Sequence, residues 1–212
     1  MTTRFALFFV AMTMTLCIFV ACSEQRSRPD NLLVEQGQPT ERLLADAEGG
    51  TAEDTYNLGM RFERGIVVRQ NYPEAARWYR LSAMQAFPDA QYKLCELSEQ
   101  GRGLPQDYQE ALRWCGLAAD QGHGPAMFML GRLYHTGHGV PRDVVRAHMW
   151  YNLASAYGYE EGKRWRDRLA ADDDALQMTR DQVAEAQKLA REWNVKMKAT
   201  GHTTGRQQIP AR

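Results

Sequence analysis

"GRGLPQDYQEALRWCGLAADQG" fills residues 101–122, and "GHGVPRDVVRAHMWYNLASAYG" fills residues 137–158. The second phrase repeats the first at an offset of 36 residues, with glycines, aspartate, alanines and tryptophan in register. The same step carries Trp78 to Trp114 to Trp150, Gly65 to Gly101 to Gly137, and Leu58 to Leu94 to Leu130. Asn71, Asp107 and Asp143 obey it too, so a third and more diverged copy precedes the other two. A period of this length marks supersecondary units stacked in a line, each burying its apolar face against the next.

Each copy parses into two helices. In "PAMFMLGRLYHTG", Ala126, Leu130, Gly131 and Tyr134 share one helical face, and Gly137 follows as a stop that tolerates the left-handed conformation. Asp143 then caps a second helix, as Asp107 does with Glu110 three residues on. Ala111, Trp114, Cys115 and Ala118 form the inward stripe of that second helix. Gly59 and Gly131 let two helices approach closely. The expectation is an all-α chain: an α-α superhelix, or solenoid, of hairpins at about 52–87, 88–123 and 124–159, closed by C-terminal capping helices.

The run Ala126, Leu130, Gly131, Tyr134, Gly137, Gly139, Val140, Asp143, Ala147, Trp150, Ala154 and Gly158 resembles the Sel1-like repeat, a relative of the tetratricopeptide repeat. Ser155 replaces the second small residue of that pattern, while the middle copy has Cys95 for the packing Gly and Ser98 for Tyr. The first copy has Phe62 for Tyr and Val67 for the second loop Gly. The resemblance covers 41–197. It implies a groove lined by the first helix of each repeat and a role as an adaptor in cell-envelope complexes.

The ends read differently. "ERLLADAEGG" looks like the truncated second helix of a preceding repeat, and "RDQVAEAQKLAREW" after Thr179 is an amphipathic helix suited to closing the array. The tail 198–212 lacks an apolar period and reads as disordered. At the start, Arg4 precedes an apolar stretch from Phe5 to Val20, short for a membrane span and suited to an export signal. "FVAC" resembles the lipobox of bacterial lipoproteins, which implies a signal peptide at 1–21 and lipidation of Cys22. Ser23 resembles the outer-membrane sorting pattern, giving a periplasm-facing protein on a flexible tether at 22–40. The membrane would be met through the lipid anchor only.

Lysine plus arginine equal aspartate plus glutamate at 26 each, with the signs interspersed, so there is no electrostatic footprint for nucleic acid. Ser-x-x-Lys, Gly-x-Ser-x-Gly, His-Glu-x-x-His and phosphate-cradling loops are all missing from the sequence. No cofactor, metal or catalytic residue is expected. His135 and His138 could join His123 or His148 around a metal but read as exposed loop histidines, and the acidic run Asp172 to Asp174 reads as a solvated turn rather than a cation site.

Two constellations remain. Cys95 and Cys115 lie on opposite arms of one hairpin, as a candidate disulfide or as two buried thiols. On the first helices, near 52–64, 88–100 and 124–136, Met60, Glu96 and Arg132 follow the packing position, with Tyr56, Tyr92 and Phe128 one turn earlier. These six residues are the candidate partner-binding groove, although the aromatic ladder reads equally as packing between repeats. The expected function is a lipid-anchored periplasmic scaffold for a protein partner. The rival is a cell-wall or β-lactam hydrolase, suggested by members resembling this family.

Overall fold

The computed structural model describes residues 50–171 and 178–201. The signal, the tether, Cys22, the segment 41–49, Asp172 to Asp174 and the tail beyond 201 lie outside the described residues. The helices in order are α1 (Ala52–Arg64), α2 (Tyr72–Met84), α3 (Pro88–Gln100), α4 (Tyr108–Asp120), α5 (Gly124–Thr136), α6 (Val144–Ala156), α7 (Glu160–Ala170) and α8 (Arg180–Ala199). The described residues contain no strand. The chain is all-α, a superhelix of consecutive hairpins.

Local chemistry sets the ends. Asn71, Asp107 and Asp143 each turn a side-chain oxygen onto the first free amides of α2, α4 and α6. Thr51 and Thr179 form reciprocal capping boxes with Asp54 and Gln182. Gly65, Gly101 and Gly137 end the first helices in the left-handed conformation. Helix α8 runs to Ala199, so Lys198 and Ala199 belong to it and not to the tail expected from 198.

The loops after Gly101 and Gly137 cross the preceding repeat. A Cβ on Gly103 would meet the carbonyl carbon of Tyr72 at 2.4 Å, and one on Gly139 would meet Tyr108 Cβ at 2.7 Å. Only glycine fits there. Val67 holds the equivalent place in the first repeat with φ 69°, a strained value for a β-branched residue.

Within hairpins α1 packs on α2, α3 on α4, and α5 on α6, while α2–α3 and α4–α5 contacts join successive repeats. The first helices α3 and α5 also touch directly. Both α7 and α8 pack on α6 and close the array. Leu94, Cys95, Ala111, Cys115, Ala118, Ala126 and Ala147 are wholly buried along the axis. Small residues dominate because the helices nearly touch.

A single device joins the two arms of every hairpin. In the first, a Cβ on Gly59 would sit 2.7 Å from the Tyr79 ring; in the third, one on Gly131 would sit 2.5 Å from the Tyr151 ring. Tyrosine from the second helix thus lies flat against bare glycine on the first. In the middle hairpin, the positions of that Gly and Tyr are held by Cys95 and Cys115, which are joined as a disulfide with Cα atoms 5.4 Å apart. Ring-on-glycine and covalent bridge fill the same place.

Candidate protein-binding face

The first helices present their outward residues at one register. Met60, Glu96 and Arg132 are each partly exposed and turned away from their second helices. Two separate sets of ion pairs beside them cross the repeats. Lys93 Nζ lies 3.2 Å from Glu63 of α1 and 3.1 Å from Glu96 on its own helix. Tyr79 donates its hydroxyl to Glu63, and Tyr92 donates to Glu96 at 2.8 Å. Arg132 Nη2 reaches back to Glu99 at 3.1 Å, linking α5 to α3.

Each such pair contributes at most about 1 kcal/mol at this exposure. The larger consequence is geometric, because side chains held by two partners are preorganised for a third. Burial opposes charge on Lys93, but Glu96 and Glu63 outweigh it and hold the ammonium above its ordinary pKa. Burial, then Glu96, pushes the Tyr92 phenol well above its usual range. Burial and the hydrogen bond to Glu161 bring Tyr159 up to about 12. The face therefore offers a fixed cation and neutral hydroxyls throughout the physiological range.

The ladder residues sit behind this surface. The Tyr56 ring contacts Tyr79 at 5.5 Å and Phe87 at 5.2 Å, and Phe128 contacts Tyr151 at 5.4 Å and Tyr159 at 5.2 Å. Tyr92 lies 4.9 Å from His123. Phe87, His123 and Tyr159 themselves recur at 36-residue spacing and open the next first helix. The ladder therefore bridges repeats. All six candidates are half-buried; Met60 packs against the core as the ladder residues do, while Glu96 and Arg132 carry the charged chemistry. Glu63, Lys93 and Glu99 belong with them and were not singled out by spacing.

The histidines are scattered. His123 caps α5 through Nδ1 and lies 3.3 Å from Asp89, a hydrogen bond that lowers the Asp89 pKa. His138 stacks on Tyr108, while His135 meets Trp165 edge-on. His148 is buried in α6, and desolvation followed by the Arg166 charge lowers its pKa to about 4. Among the described residues no three His, Cys, Asp or Glu converge as metal ligands. None of the described helices is long and apolar enough to cross a membrane.

Stacked hairpins with an open, rigidly held first-helix face define a helical-repeat scaffold. The Sel1 repeat model matches residues 52–87, 88–123 and 124–163, and the chain belongs to the Sel1 repeat family. It is similar to a protective antigen of uropathogenic Escherichia coli strains displaying an SLR fold, at 28% identity and TM-score 0.61, over 76% of this chain and 33% of that one. It thus spans about a third of that protein's length. A Sel1 repeat protein from Oxalobacter formigenes shares the fold at 24% identity and TM-score 0.60, over 76% of this chain and 78% of that chain. No curated protein matches the chain. Sel1 repeat proteins are protein-interaction scaffolds.

Proposed function

We propose that this chain is a lipid-anchored scaffold of the bacterial envelope that holds a protein partner against its first-helix face. The observation that carries the reading is the register of Met60, Glu96 and Arg132, one apolar, one acidic and one basic, at equal spacing on three parallel helices. A surface of alternating chemistry on a rigid frame suits a polypeptide, which presents alternating side chains of its own. The apolar run ending in Cys22 supports attachment to the outer membrane facing the periplasm, with residues 22–40 as the tether.

The test is capture from envelope extracts by the tagged chain. Met60→Glu with Arg132→Glu should abolish recovery of the partner while leaving helical circular dichroism and melting unchanged. Equal recovery by the double variant would remove the first-helix face from the account.

A further inference from the structure

Helix α7 takes the place of a fourth first helix. Tyr159 precedes it at the N-cap as Phe87 precedes α3 and His123 precedes α5, each 36 residues from the last. One more step of that length from Met60, Glu96 and Arg132 reaches Arg168, exposed on α7. Two steps carry Tyr79, Glu63 and Lys93 to Tyr151, His135 and Trp165. In the first repeat those three residues form a closed polar set: Tyr79 donates its hydroxyl to Glu63, and Lys93 Nζ meets the same carboxylate at 3.2 Å. In the third repeat the lysine and the carboxylate are replaced by rings. The Tyr151 ring lies 6.0 Å from Trp165 and 6.5 Å from His135, and His135 lies 5.8 Å from Trp165. Tyr151 is fully buried, and among the described residues its hydroxyl has no hydrogen-bond partner. The third hairpin keeps the donor and has no carboxylate beside it.

The charges at this corner are cationic. Arg142 donates to the His135 carbonyl at 3.1 Å, and the Arg168 guanidinium lies over the Trp165 ring at 5.5 Å. Burial, then Arg142 and Arg168, holds the His135 pKa below its ordinary value. The neighbouring acids are engaged elsewhere: Glu99 with Arg132, Glu161 with the Tyr159 hydroxyl, and Asp167 with Arg166. Arg132 is nevertheless 43% exposed, and His135 and Trp165 are partly exposed beside it.

We propose that Arg132, His135, Trp165 and Arg168 form a subsite for an acidic side chain of the protein partner, at the C-terminal end of the first-helix face. The proposal rests on that face being the binding surface. One guanidinium from α5 and one from α7 hold the carboxylate, a geometry that arginine matches with paired N–H donors. The methylenes of the acidic residue pack on the Trp165 indole. The other end of the face has the opposite preference, because Glu63 and Glu96 share the single cation Lys93 and repel a further carboxylate. A bound polypeptide is thereby oriented, with its acidic residue toward α7.

The probe is hexaglutamate, acetylated and amidated so that only side-chain carboxylates remain, titrated into the full chain. The Trp165 indole N–H signal, assigned by its loss in Trp165→Phe, is followed by NMR. The expected result is a saturable shift that hexalysine does not produce. Arg132→Gln and Arg168→Gln should each weaken it about threefold or more, and Arg80→Gln on α2 should leave it unchanged. No saturable shift, an equal response to hexalysine, or an equal loss in Arg80→Gln overturns the proposal. Binding seen only in Asp172→Asn/Asp173→Asn/Asp174→Asn assigns the subsite to the chain's own acidic run and overturns it too. Partner capture separates this proposal from the reading beneath it. Full recovery by Arg168→Glu, with recovery lost in Met60→Glu/Arg132→Glu, removes the subsite and leaves the first-helix face standing. Recovery indifferent to both variants removes the face itself.

Discussion

Gly131→Ala puts the hairpin lock to a direct test. Glycine inside a helix normally yields about 1 kcal/mol when replaced by alanine. Here the new Cβ would lie 2.5 Å from both Cδ1 and Cε1 of Tyr151. Carbon atoms rest at about 3.5–4 Å, so the ring must retreat by roughly 1 Å. It has nowhere to go: Tyr151 is fully buried, with Phe128 at 5.4 Å and Trp165 at 6.0 Å. Overpacking of this kind costs up to about 3 kcal/mol, which leaves a net loss near 2 kcal/mol after the helix gain. Gly116→Ala is the control, since that Cβ meets nothing within 4 Å and should stabilise by about 1 kcal/mol. Urea unfolding followed by circular dichroism compares the two, with the m-value expected to stay constant. In Tyr151→Ala the second substitution should be tolerated, so the double variant falls well short of additivity. A Gly131→Ala protein as stable as Gly116→Ala would refute the lock.

Three further outcomes follow from other parts of the chain. Cys95→Ala/Cys115→Ala opens a loop with sequence separation 20 and should lower stability by about 3 kcal/mol, and alkylation of the unfolded, unreduced protein should leave both positions unmodified. His148 has a folded pKa of about 4 against about 6.5 unfolded, so the unfolded chain binds the extra proton; stability is full above pH 6.5 and declines as pH falls toward 4, by about 2 kcal/mol between pH 7.5 and 4.5. His148→Leu, which installs the residue found at Leu112 in the middle repeat, should remove that component of the pH dependence, measured by denaturation at the two pH values. Cys22→Ser should abolish incorporation of labelled palmitate in cells, and retained label would end the lipid-anchor reading.

The first-helix boundaries were legible because three copies in one register average out local ambiguity: the expected 52–64, 88–100 and 124–136 are α1, α3 and α5. The binding face was less legible. Spacing placed Tyr56, Tyr92 and Phe128 on one side of their helices, but it carried no information on Phe87, His123 and Tyr159, which arrive from the next repeat to cover them. Lys93 escaped notice because its partners lie on another repeat at Glu63 and on its own helix at Glu96, and long charged side chains leave no periodic trace. The hairpin lock was readable and overlooked. Tyr79, Cys115 and Tyr151 share the offset of Gly59, Cys95 and Gly131, so two columns change together when glycine gives way to cysteine.

The central claim is that the first-helix face holds a polypeptide. Photo-crosslinking residues placed singly at Met60 and Arg132 of the full chain, activated in intact cells, test it without extraction. The account predicts that both sites yield the same discrete protein adduct and that Lys188, exposed on α8, yields none. Adducts at Lys188 with none at Met60 or Arg132 would contradict it.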